Sequence, residues 1–160
     1  MPDLMSHLII GLIIAELLNV KKKSLVAFGA IAPDLISKLH LVYIHFGIAP
    51  YLSFVSLHTP FMSFLLSLII APLFLYGRLK IMLFFNLGAI SHYLSDLTIS
   101  HFTMSGTRML FPISNHNFTL NLIWPEQSIY VLIASLAIYL AIKFVKKDLI
   151  ITPRKIKFNL

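Results

Sequence analysis

The segment from Ile81 to Leu97 reads IMLFFNLGAISHYLSDL. Its first half is almost wholly apolar, and its second half carries His92 and Asp96. Four residues on a helix return about 40° past one full turn, so both side chains project from one face. Gly88 lies one turn earlier on that face and leaves room for a second helix to pack closely behind the pair. A helix this apolar packs in lipid or against other helices, yet its last turn carries an imidazole and a carboxylate.

The rest of the chain is similarly apolar. It has 160 residues, 58% hydrophobic and 12% charged, with no cysteine. Soluble domains carry about 25% charged residues, so this chain has too little polar surface for a water-soluble globule of its size. Composition therefore predicts an integral membrane protein forming one helical unit over residues 1–160, with a basic cytoplasmic tail from about residue 146. Without cysteine there is no disulfide framework and no thiolate metal site. The N-terminal MPDLMSH carries an acid where a signal peptide has its basic region. The net charge of +7 fits cytoplasmic loops and anionic headgroups better than nucleic acid, which we do not expect as a partner.

Five apolar segments stand out: His7–Val20, Ser24–Ile36, Pro60–Tyr76, Ile81–Leu97 and Ser128–Val145. The expected fold is all-α, a multi-pass membrane bundle of about five helices, the first two being candidates for partial spans. The third and fifth approach the ~20 residues that cross a bilayer. Residues 38–57 and 98–126 read as loops or interfacial pieces, with Trp124 as an interface anchor.

Charge placement orients the bundle. Lys21–Lys23, Arg78 with Lys80, Lys143 with Lys146 and Lys147, and Arg154, Lys155 and Lys157 all fall on one side if successive segments alternate direction. The positive-inside rule makes that side cytoplasmic, which puts the N-terminus outside and the C-terminus inside. The same alternation carries His7, Asp34, His58, His92 and Asp96 away from the basic side. At 1.5 Å per residue, Lys23 to Asp34 is roughly 16 Å, Lys80 to Asp96 roughly 24 Å and His58 to Arg78 roughly 30 Å. These heights overlap in the outer half of the membrane.

Ionisable groups at membrane depth are costly and face a protein interior or a cavity, paired or functional. Three histidines and two aspartates without a local excess of Lys or Arg suit a divalent metal, zinc foremost, with manganese and iron also compatible, as one or two ions. Each residue also has a plain reading. His7 fits a helix start at the membrane surface, Asp34 a turn or cap after Pro33, His58 a helix start before Pro60, and His92 with Asp96 a satisfied pair. The joint arrival of five such residues at one level favours a site. Glu16, on the opposite face from His7, reads as a partner of the Lys21–Lys23 run. His101 joins the site only if the helix breaks after Asp96. His40 and His45 read as surface or packing residues, and His116 as part of a polar loop. In SGTRMLFP, Thr107 and Arg108 are candidates to contact an anionic substrate, with an interfacial arginine as the plain alternative.

No phosphate-binding Gly-rich loop, nucleophile elbow or His-Glu-x-x-His motif occurs. The economical chemistry is metal-activated water, with Asp34 or Asp96 as general base.

The blocks MSHLIIG, GAIAPDL, LHTPFMSF, GAISHYLSD and SGTRMLFP resemble, in order, those of the YdjM-like family of bacterial and archaeal inner-membrane proteins, described as metal-dependent hydrolases. The resemblance runs from about Met5 to Pro112 and implies that His7, Asp34, His58, His92 and Asp96 are metal-site positions. The order of these residues is also distantly similar to the zinc-dependent phospholipase C group. This chain departs from the patterns: Ile36 stands where many YdjM-like members have an acid, Leu57 where an arginine is frequent, and Leu120 where the phospholipase pattern has a glutamate after His116.

Two functional classes follow. One is a metal-dependent hydrolase in the inner membrane, acting on a lipid or amphipathic phosphoester from the outer half of the bilayer. The other is a non-enzymatic metal- or proton-binding membrane protein, a transport or partner subunit. The discriminating feature is an open coordination position.

Overall fold

In a computed structural model, residues 4–46, 58–75, 77–100 and 107–155 are described, the side chains of 39–44 and 148–155 excepted. Five α-helices follow in order: α1 Leu4–Leu17, α2 Lys23–His45, α3 Pro60–Ile70, α4 Arg78–Leu97 and α5 Ser128–Lys155. Among the described residues there is no strand, only two isolated bridges, Ile99 with Ile123 and Thr107 with Phe118. The all-helical fold agrees with the reading of the sequence.

Local chemistry sets the ends. α1 stops because Asn19 takes a left-handed conformation, φ 51°. The Val20 N–H then reaches the Ala15 carbonyl at 2.9 Å, and the Asn19 N–H reaches the Glu16 carbonyl at 3.2 Å. That pair of bonds is a Schellman motif, and Val20 packs in one cluster with Ala15, the contact that accompanies it. α3 starts where Thr59 Oγ1 accepts the Met62 N–H at 3.3 Å, with Pro60 in the first turn.

Two boundaries differ from expectation. α2 does not stop near Ile36. It runs through Pro33 to His45, so residues 38–45 are helix rather than loop. Proline removes one backbone donor, but residues 34–45 contain no Gly or further Pro to end the helix. The third segment is shorter than expected. α3 ends at Ile70 and tightens into a 3-10 turn at Ala71–Leu73, where Pro72 cannot supply the helical N–H. One stretch, Pro125–Lys147, is long and apolar enough to cross a membrane among the described residues, and Ser135 is its one buried residue.

α2 and α4 cross at glycines. A Cβ on Gly88 would lie 1.9 Å from the Val26 carbonyl oxygen, and one on Gly29 would lie 2.0 Å from the Phe85 carbonyl oxygen. The backbones therefore touch with no side chain between them, which only glycine allows. Val26, Ala30, Phe85, Ala89 and Tyr93 form the core around this crossing. α1 packs on α2 through Gly11, where a Cβ would meet the Ala30 methyl at 2.7 Å. Beyond α4, the Leu120 and Leu122 N–H groups bond to the Leu97 and Thr98 carbonyls at 2.7 and 2.8 Å. The chain before α5 is thereby pinned across the end of α4.

Candidate metal centre

Four separate pieces of chain deliver the site. His7 stands in the first turns of α1, Asp34 in the middle of α2, His58 just before the Thr59 cap of α3, and His92 and Asp96 in the last turns of α4. His7, Asp34 and His92 are fully buried and Asp96 nearly so. The His58 side chain is 14% exposed, the most of the five.

Asp96 is the hub. Its Oδ2 lies 2.8 Å from His58 Nε2 and 3.3 Å from His92 Nε2. The two imidazole Nε2 atoms are 3.3 Å apart. Asp34 Oδ1 lies 3.9 Å from His92 Nε2 and 3.9 Å from His58 Nδ1. One ligand atom from each of Asp34, His58, His92 and Asp96 falls within 4.8 Å of every other. A tetrahedral cation with bonds of about 2.1 Å has ligand–ligand edges of roughly 3.4 Å. The edges around His92 Nε2 run from 3.3 to 3.9 Å, and the widest pair in the group is within 4.8 Å.

The hydrogen bonds leave the right atoms facing the centre. His92 Nδ1 is 2.8 Å from the Ala30 carbonyl oxygen, which can only accept, so Nδ1 carries the proton. The neutral ring then turns its Nε2 lone pair toward Asp34, Asp96 and His58. A backbone carbonyl on the far nitrogen is the usual way a metal-ligating histidine is oriented. Both Asp34 carboxylate oxygens, Asp96 Oδ1, His58 Nδ1 and both nitrogens of His7 are buried without a hydrogen-bond partner among the described residues. Orphaned polar groups are costly in a protein interior, and a cation among them would satisfy the carboxylate oxygens. The residues therefore fit a divalent metal.

Formal charge points the same way. Two carboxylates face one ammonium, Lys38, whose Nζ is 3.8 Å from Asp34 Oδ2 and whose side chain is 47% exposed. With neutral imidazoles the cluster is one positive charge short.

His7 stands beside the four-residue group rather than within it. Its Nε2 is 3.3 Å from Asp96 Oδ1, and its ring stacks on His92 at a centroid distance of 4.0 Å. Thr107 is buried, and its backbone exchanges two 3.0 Å hydrogen bonds with Phe118. Arg108 follows it, half-buried. Glu16 meets Lys23 at 2.6 Å, as expected, and also Lys143 at 2.8 Å. His45 is exposed against Phe46, and His116 is exposed beside Phe118. His101 and the side chain of His40 lie outside the described residues.

Sequence reasoning missed three contributors. Lys38 was legible as the i+4 neighbour of Asp34, once α2 is known to continue past Pro33. The Ala30 carbonyl leaves no mark in a sequence. Tyr93 walls the site: its ring stands edge-on to His58 and His92 at 5.5 and 5.3 Å, and its hydroxyl bonds Ser63 at 2.7 Å.

A search of curated proteins and of solved structures finds no match. The likeness to the phospholipase C group therefore rests on residue order alone. A family model described as YdjM inner membrane protein matches residues 1–157. The match extends the resemblance past Pro112 through the whole of α5. The chain belongs to the YdjM family of inner membrane proteins.

Proposed function

We propose that this protein is a membrane-bound, metal-dependent hydrolase whose ligands are Asp34, His58, His92 and Asp96, with His7 on the second oxygen of Asp96. The observation that carries the reading is the convergence of four ligand atoms within 4.8 Å of one another, with both Asp34 oxygens and Asp96 Oδ1 lacking hydrogen bonds. A mixed nitrogen and oxygen set of this size suits zinc first, and manganese or iron share the donors. A second ion would have Asp96 as its shared ligand, because the two oxygens of that carboxylate face different histidines.

When bound, the cation supplies Lewis acidity toward a phosphoryl oxygen and acidifies water. The chain's own residues have separable tasks. Asp96, engaged by three histidines, holds the cluster together. Asp34, whose oxygens approach ring nitrogens only at 3.9 Å, is the less committed carboxylate and takes a proton as general base. Thr107 and Arg108 contact the anionic group of a lipid or amphipathic phosphoester. In support, their loop leads into the segment pinned over the end of α4, next to Asp96.

The helices are proposed to cross the inner membrane more than once, with the site in the outer half, the N-terminus outside and the C-terminus cytoplasmic. Supporting this, Lys23, Lys143 and Lys146 gather at the far end of α1 from His7. Single cysteines at positions 22 and 116 should label from opposite faces; labelling of both from one face overturns the orientation.

One observation favours a second reading, a metal-binding protein without turnover: His7, Asp34 and His92 are fully closed off. One experiment separates the two. Metal content is measured on the purified protein and on Asp96→Ala and His58→Ala, followed by hydrolysis assays on phosphoester lipids. The hydrolase reading expects metal in the parent, loss in both variants and turnover lost with the metal. Metal retained in both variants removes the site. Metal lost in the variants, with no turnover by the loaded parent, supports the binder.

A further inference from the structure

The opposite end of the bundle holds a second cluster that the proposed chemistry does not use. Glu16, 2% exposed, closes the last turns of α1. Lys23 and Lys143 reach its Oε1 at 2.6 and 2.8 Å, and Lys146 lies 3.7 Å from its Oε2. Lys146 also donates to the Glu16 backbone carbonyl, and to Asn19 Oδ1 at 2.6 Å. One carboxylate thus faces three ammoniums, leaving two positive charges in excess. Lys147 is exposed one turn beyond Lys143.

Below these lysines the surface of α5 turns apolar. Leu140, Ala141, Lys143, Phe144 and Lys147 share one helical face and line a shallow depression of 550 Å³. The depth fits a bilayer boundary. Pro125–Lys147 spans 23 residues, about 34 Å at the helical rise, against a hydrocarbon core of about 30 Å. Lys143 and Lys147 therefore fall where acyl chains give way to phosphates, with their stems able to snorkel outward.

We infer that this face of α5 binds an anionic phospholipid, its phosphate against Lys143 and Lys147 and an acyl chain along Leu140, Ala141 and Phe144. Charge selects this occupant over a second copy of the chain. Two copies in one membrane with parallel α5 helices would bring the same lysines together, and like charges repel. The inference rests on the membrane placement of α5 and is independent of the metal centre.

The test is native mass spectrometry of the detergent-purified full chain with phosphatidylglycerol or phosphatidylcholine. The parent should retain phosphatidylglycerol preferentially. Each basic residue near an anionic surface is worth about 1 kcal/mol, so Lys147→Gln should reduce that preference about fivefold. Phe144→Ala should weaken retention of both lipids. Lys147 makes no contact in the Glu16 cluster, so Lys147→Gln leaves the packing of α5 on α1 intact. Equal retention of the two lipids by the parent, or an unchanged preference in Lys147→Gln, overturns the inference. Displacement of the lipid by millimolar inorganic phosphate would make this a free-anion site and likewise overturn it.

Discussion

The two ends of α1 hold buried carboxylates in opposite electrostatic states. At the Glu16 end one carboxylate meets three ammoniums from α2 and α5. At the His7 end two carboxylates meet three imidazoles and one half-exposed ammonium at 3.8 Å. The first cluster is closed by the chain's own charges and ties three helices together. The second lacks a positive charge: Glu16 Oε1 has two ammoniums within 2.8 Å, whereas the nearest ammonium to Asp34 stands at 3.8 Å. A buried carboxylate that is not paired by the protein is strongly disfavoured. The comparison separates a structural ion cluster from a ligand site by what each lacks, although both gather acids and bases from several helices around α1.

The largest effect should come from breaking the His7 end. Asp96→Ala removes the one group that contacts all three histidines. Metal affinity should fall by more than the about 10–100-fold typical of losing an outer-shell partner, read by competition with a chromophoric chelator. A fall of less than tenfold would show that Asp96 is not a ligand. Gly88→Ala should disturb the crossing that aligns both ends, because its Cβ would stand 1.9 Å from the Val26 carbonyl oxygen. Forced overpacking costs about 1–3 kcal/mol, visible as a lower unfolding midpoint in detergent. An unchanged midpoint would mean that the helices do not meet there.

Glu16→Gln should leave metal content intact while loosening α5 from α1. The three lysines are a third to a half exposed, so water screens them and the loss should be well below that of breaking a fully buried pair. Faster hydrogen exchange in α5 at constant metal content checks this; a loss of metal would join the two ends into one unit. The smallest effect belongs to Lys38→Met. Removing an exposed cation that competes for Asp34 should tighten metal binding by at most about fivefold. Weaker binding would instead make Lys38 a supporting residue.

Much of this layout was legible before any coordinates. The five apolar segments correspond to the five helices, and Lys23, Lys143 and Lys146 do gather at the far end of α1 from His7, while Lys38 stands at the near end beside Asp34. Pairing Glu16 with Lys23 followed from their nearness in sequence, whereas Lys143 and Lys146 join from 127 to 130 residues away. The boundaries around proline were harder to read. Pro33 suggested a stop, but the residues after it are good helix material and packing on α4 carries the helix through. Pro72 lies in a more apolar run, yet it ends α3 before it reaches spanning length. Proline lacks the same donor in both places, so context decides the outcome.

The sequence alone determined that His92 and Asp96 share a face, because helix periodicity fixes residues four apart. It also determined that too few charged residues exist to cover a soluble globule, because composition needs no coordinates. Only the tertiary structure decided that His58 reaches Asp96 across 38 residues and that the Ala30 carbonyl orients His92 across 62. The second contact depends on α2 and α4 touching at Gly29 and Gly88. Helical periodicity acts over a few residues, while the convergence of separate helices depends on the depth at which their backbones can pack.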